Sequence, residues 1–140
     1  MQSPATALGL AAATIFVSRL AMGDEAGKSE SFENRVAIAK QAEDDKTYKS
    51  YLPTMYDAVG QELASAMQAC FKEIPDGSSD PFVFITDIDR SGVAQAAEVK
   101  PATTIATCFQ RRVSALKFPK PPDYPGRAGF PIVIEMSIRP

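Results

Sequence analysis

From Met55 to Ile74 the apolar residues Met55, Tyr56, Val59, Leu63, Met67, Cys70, Phe71 and Ile74 recur at three- and four-residue intervals, the spacing of one buried helix face. Pro53 suits the first turn of that helix, and Pro75-Asp-Gly-Ser-Ser-Asp-Pro81 stops it. Phe82-Val-Phe-Ile-Thr-Asp-Ile88 is β-branched and aromatic, lies between turn signals and reads as a strand. Asp89-Arg-Ser-Gly92 carries Asp and Gly where a type I turn favours them, so Val93 to Lys100 returns as the partner strand, weakened by Ala94, Ala96 and Ala97. Pro101 opens a second helix with Ile105, Cys108, Phe109, Val113 and Leu116 on one face, and Phe118-Pro-Lys-Pro-Pro122 ends it. The cleanest period-two signal comes last, where Ile132, Ile134, Met136 and Ile138 alternate with Val133, Glu135, Ser137 and Arg139.

The order helix, strand, strand, helix, strand predicts an α+β fold. It is a two-layer sandwich, with a three-stranded antiparallel sheet carrying two helices on one face. An additional N-terminal helix is expected within a charged arm spanning 24–50. There Phe32, Val36 and Ala39 form one narrow stripe amid Glu30, Glu33, Arg35, Lys40, Glu43, Asp44 and Asp45, the pattern of a solvated helix packed loosely on the domain.

Residues 5–17 are an apolar run broken by Ser18 and Arg19, shorter than the roughly 20 residues that cross a bilayer. Ala21-Met-Gly23 offers small residues for cleavage before Asp24, so 1–23 reads as a signal peptide, although residues 1–6 lack the usual Lys or Arg. The expected mature chain is 24–140, exported to the periplasm, with no stable membrane span after cleavage and the folded domain over 51–140.

Composition narrows the function more than it names it. The chain has 140 residues, 45% hydrophobic and 23% charged, which suits one globular domain. A formal net charge of −2 offers no basic stripe, so nucleic acid is not an expected partner. His is absent, removing the commonest general base and the usual nitrogen ligand for zinc or copper; Trp is absent too. Asp57, Glu62 and Glu73 would be the carboxylates of an acid–base pair, but on a helix surface such residues ordinarily solvate it, and we expect no enzyme and no cofactor. Tyr48, Tyr51 and Tyr56 are expected in the core or its rim rather than in a ligand cage.

Cys70 and Cys108 each fall on the apolar face of a helix, and both helices cover the same sheet face in this arrangement. They are therefore able to meet. Export and an even cysteine count favour a disulfide, worth about 4 kcal/mol by loop closure; the alternative is two buried thiols acting as small apolar residues.

The stretches Ala69-Cys-Phe71, Asp89-Arg-Ser-Gly-Val93, Cys108-Phe-Gln-Arg-Arg-Val113 and Lys117-Phe-Pro-Lys-Pro-Pro122, with a strand closing the series, occur in an order that resembles the TonB C-terminal-like family. The likeness covers about residues 55–140. It implies a two-layer α+β fold and a non-enzymatic role in periplasmic protein–protein contact, often by adding a peptide strand to a sheet edge. Energy transduction is not expected, because neither the family's membrane anchor nor its long Pro-rich linker is apparent. The partner is expected to be a protein of the bacterial cell envelope, with the binding edge left open. Pro119 to Pro125 reads as a stiff loop rather than a polyproline ligand.

One competing reading remains. Asp87, Asp89, Ser91, Gly92 and Glu98 occupy positions one, three, five, six and twelve of the EF-hand calcium pattern. A calcium-binding exported module is thus the alternative function. The two readings differ over 82–100, which is strand–turn–strand in the first and helix–loop–helix in the second.

Overall fold

A computed structural model describes residues 30–138. The proposed signal peptide, the first part of the arm (24–29) and Arg139-Pro140 lie outside the described residues. Helix α1 spans Phe32–Asp44, α2 Tyr51–Glu73 and α3 Thr104–Ser114; strands β1, β2 and β3 span Phe82–Ile88, Ala94–Lys100 and Phe130–Met136. The sheet is antiparallel, ordered β2-β1-β3. Element order and fold class are those expected from the sequence.

Two helix starts follow local hydrogen-bond chemistry. Ser31 Oγ accepts from the Asn34 amide, and Thr103 Oγ1 accepts from the Ala106 amide, both at 3.1 Å. Thr103 therefore begins α3 three residues later than Pro101 suggests, since a hydroxyl caps the free amides of the first turn and a proline at that place does not.

Period-two alternation divides the sheet between two cores. Phe82, Phe84 and Ile88 of β1 and Phe130, Ile132 and Ile134 of β3 pack with Met55, Val59, Leu63 and Cys70 of α2 and with Ile105, Phe109 and Val113 of α3. The alternate residues Ile85 and Val133 form a second cluster with Ala39 of α1, flanked by Phe32, Val36 and Val83. β1 is thus covered on both faces, which accounts for the unbroken apolar run Phe82–Ile85.

The arm is more firmly attached than its charge suggests. Ala39 and Ala42 are fully buried, as is most of Arg35. A side chain as small as Ala39 lets the helix backbone approach the sheet closely, and ion pairs fasten the flanks: Glu33 with Lys100, and Lys40 with Glu135 at 2.7 Å.

The β1–β2 register slips by one residue between Ile85 and Asp87. The extra residue falls on β2, where Ala96 takes a φ of 50°. Such a bulge bends and twists the strand that carries it.

Candidate functional site

The cysteines meet as the pattern of their helix faces predicts. Cys70 of α2 and Cys108 of α3 form a disulfide with Cα atoms 5.8 Å apart. Glu73 lies beside it, 3.3 Å from Arg111 and 3.0 Å from Arg112. The hydrogen bond from Arg112, with the charge of Arg111, lowers its carboxyl pKa below the ordinary value. Asp57 and Glu62 stand exposed on α2, five residues apart and so not stacked on one helix face. The three carboxylates considered for acid–base work are not gathered in a cleft.

The segment 82–100 is strand–turn–strand. Asp89 Oδ1 accepts from the Ser91 amide at 2.9 Å, from Ser91 Oγ at 2.6 Å and from the Val93 amide at 3.0 Å, which closes the turn on the carboxylate itself. The Ser91 hydroxyl and the Val93 amide hold the Asp89 pKa down at about 2. Gly92, at φ 85°, completes the turn, and its carbonyl accepts from the Phe118 amide at 2.9 Å. Asp87 and Glu98 instead turn to the α1 face, where Arg35 lies 3.7 Å from Asp87 and 2.6 Å from Glu98. The five residues of the calcium pattern are therefore not wrapped round one point. Among the described residues no group of three or more acidic, His or Cys side chains is placed to hold a metal ion.

The sequence reading missed the ionic cluster that this arrangement creates. Arg127 of the β3-leading loop donates to both oxygens of Asp87, at 3.0 and 3.2 Å, and to Glu30 at 2.6 Å. Arg35 lies three residues after Phe32 and four before Ala39, so helical spacing puts it on the buried stripe despite its charge. That spacing was a usable signal. Arg127, between Gly126 and Ala128 in a loop, offered none.

The sheet edges are treated differently. On β2 the Ala97 carbonyl accepts from Gln110 Nε2 of α3 at 2.8 Å, next to the Ala96 bulge. β3 is paired with β1 only, and Pro131 sits in it as an edge strand permits. Val133 and Glu135 of that strand contribute to a groove of about 420 Å³ bounded by Lys40, Glu43 and Asp44 of α1 and Tyr56 of α2. One lysine faces three carboxylates there. Burial, reinforced by the charges of Asp44 and Glu135, raises the Glu43 pKa, and burial likewise raises that of Tyr56.

Tyr48 and Tyr51 belong to an aromatic cluster with Tyr124 and Phe130, ring centroids 5.0 to 5.9 Å apart. The Tyr51 hydroxyl donates to the Pro119 carbonyl at 2.7 Å, tying the Pro-rich loop to the core. Burial pushes the Tyr51 phenol pKa up to about 12. Tyr56, by contrast, lies at the rim of the β3 groove with 43% of its surface exposed and the rest covered. No helix among the described residues is long and apolar enough to cross a membrane. The chain matches no family model, no curated protein and no solved structure.

Proposed function

We propose that this chain is a non-enzymatic interaction module of the bacterial periplasm, similar in role to a TonB C-terminal domain, and that it receives an extended segment of an envelope protein along β3. The observation that carries this reading is the contrast between the two sheet edges. Both edge strands pair with β1 alone, but β2 is bulged at Ala96 and its Ala97 carbonyl is taken by Gln110 of α3, whereas β3 is regular in its pairing and borders a groove between α1 and α2. Main-chain hydrogen bonds to a free edge supply affinity in strand addition, and flanking pockets supply specificity. With one lysine against Glu43, Asp44 and Glu135, the groove favours a segment carrying Lys or Arg. Export rests on the signal-like 1–23 and agrees with the Cys70–Cys108 disulfide, which an oxidising compartment maintains.

Site-resolved photo-crosslinking in cells tests the reading. A crosslinker in place of Tyr56 or Glu135 should capture one envelope protein through a basic segment, and the same group at Arg111, exposed on α3 at the β2 side of the sheet, should not. Equal capture from all three positions, or capture from Arg111 alone, would contradict it.

A further inference from the structure

The second face of the sheet carries a feature that strand addition at β3 does not use. Arg35 is 8% exposed, yet its Nη2 has no hydrogen-bond partner; Arg127 Nε, equally shut from solvent, has none either. Buried guanidinium N–H groups left without an acceptor are costly and uncommon in a settled core. Both arginines line one cavity of about 330 Å³, with Asp87 between them and Ala96 at the strained bulge on its wall. The remaining acceptors are movable. Glu98 and Glu30, which take one hydrogen bond from Arg35 and one from Arg127, have side chains 49% and 39% exposed, so each can swing into water without a large burial change.

Two guanidiniums flanking one partly buried aspartate, each with a spare N–H and each closed by a half-exposed glutamate, make a receptor for a planar, two-oxygen anion. A further anion added to three carboxylates and two arginines would be repelled. An anion that takes the place of Glu98 or Glu30 leaves the net charge of the cluster unchanged. We propose that Arg35 and Arg127 form a binding site for a carboxylate presented by another polypeptide, as an acidic side chain or a chain terminus, and that Glu98 and Glu30 occupy it at rest. The proposal goes beyond the β3 reading and stands if that reading fails.

The test uses the full chain labelled with ¹⁵N, observing the Nε–H signals of Arg35 and Arg127 during titration with end-capped Gly-Glu-Glu-Gly, end-capped Gly-Gln-Gln-Gly and N-acetylated tetraglycine with a free carboxylate. The Glu peptide should move both signals saturably and the Gln peptide should not; movement by the tetraglycine acid instead assigns the same site to chain termini. Glu98→Gln removes the resting occupant's charge and should tighten binding about tenfold, the worth of one charged hydrogen bond no longer competed for. A gain of affinity cannot come from misfolding. Arg127→Lys, checked for an unchanged thermal midpoint, should lose the response. Unmoved signals in both wild type and Glu98→Gln would mean that the cavity holds only water and would overturn the proposal. Equal response to the Gln peptide, or undiminished binding by folded Arg127→Lys, would overturn it as well.

Discussion

Breaking the Cys70–Cys108 bond should remove a large part of the stability of this domain, and the size of the loss can be worked out in two parts. The two cysteines lie 38 positions apart, and closing a loop of that length restricts the unfolded chain by about 4 kcal/mol at room temperature. Reduction of the wild-type protein should cost that much, because both sulfurs stay in place. Replacing both residues with alanine adds a second cost. Cys70 is 0% and Cys108 4% exposed within the core shared by α2 and α3, so removing each sulfur leaves space that its neighbours fill only partly, at about 1 kcal/mol apiece. Urea unfolding followed by circular dichroism should therefore place reduced wild type about 4 kcal/mol below the oxidised protein and Cys70→Ala/Cys108→Ala about 6 kcal/mol below it. The denaturant slope should rise in both cases, since an unlinked chain exposes more surface on unfolding. A domain of ordinary stability has about 5–15 kcal/mol to lose, so the double variant approaches the limit of folding. A loss on reduction smaller than about 1 kcal/mol would refute the argument, for it would mean that the unfolded chain keeps α2 and α3 together without the bond.

Three further perturbations probe the elements around the site. Gly92→Ala should cost about 2–4 kcal/mol in the same unfolding experiment, because a Cβ built at its φ of 85° lies 2.1 Å from the Phe118 carbonyl oxygen and forces apart the contact that joins the hairpin to the end of α3; a variant within 0.5 kcal/mol of wild type, about the scatter of a surface change, would show that contact to be dispensable. Tyr51→Phe should cost about 1 kcal/mol by leaving the Pro119 carbonyl without its phenolic donor. The Tyr51 pKa is raised from 10.0 to about 12, so the stabilisation is complete below pH 10 and disappears as pH rises toward 12, a window that absorbance-monitored alkaline titration should find in wild type and not in the variant. Asp89 has the opposite sign: its pKa falls from 3.8 to about 2, so the turn it closes is intact above pH 4 and loosens as pH drops toward 2, which should lower the exchange protection of the Ser91 and Val93 amides, taken relative to their intrinsic rates at each pH, but not that of Phe84.

The fold was largely legible because its main elements bury broad, periodic faces. The α2 stripe through Met55, Val59, Leu63 and Cys70, and the alternation through Ile132 and Ile134, each report burial directly, and the two cysteines could be paired once their helices were assigned to one sheet face. The arm was harder to read for a physical reason. Its contact with the sheet depends on Ala39, whose small side chain hardly registers as hydrophobic, and on Arg35, whose charge is neutralised by Asp87 and Glu98 far along the chain. Such pairings depend on strand register, and the Ala96 bulge that sets the register of Asp87 and Glu98 has no local signature in an alanine-rich strand. The calcium-like spacing of Asp87, Asp89 and Glu98 illustrates the same limit, since spacing alone does not say which face of a hairpin each carboxylate will take.

The place of this protein is tested most directly by intact-mass analysis of the chain isolated from a bacterial envelope fraction, with thiol alkylation before and after reduction. An exported interaction domain stapled across α2 and α3 predicts a chain beginning at Asp24 that accepts no alkyl group until it is reduced and then accepts two. A full-length chain with both thiols alkylated in the unreduced sample would contradict export and the staple together.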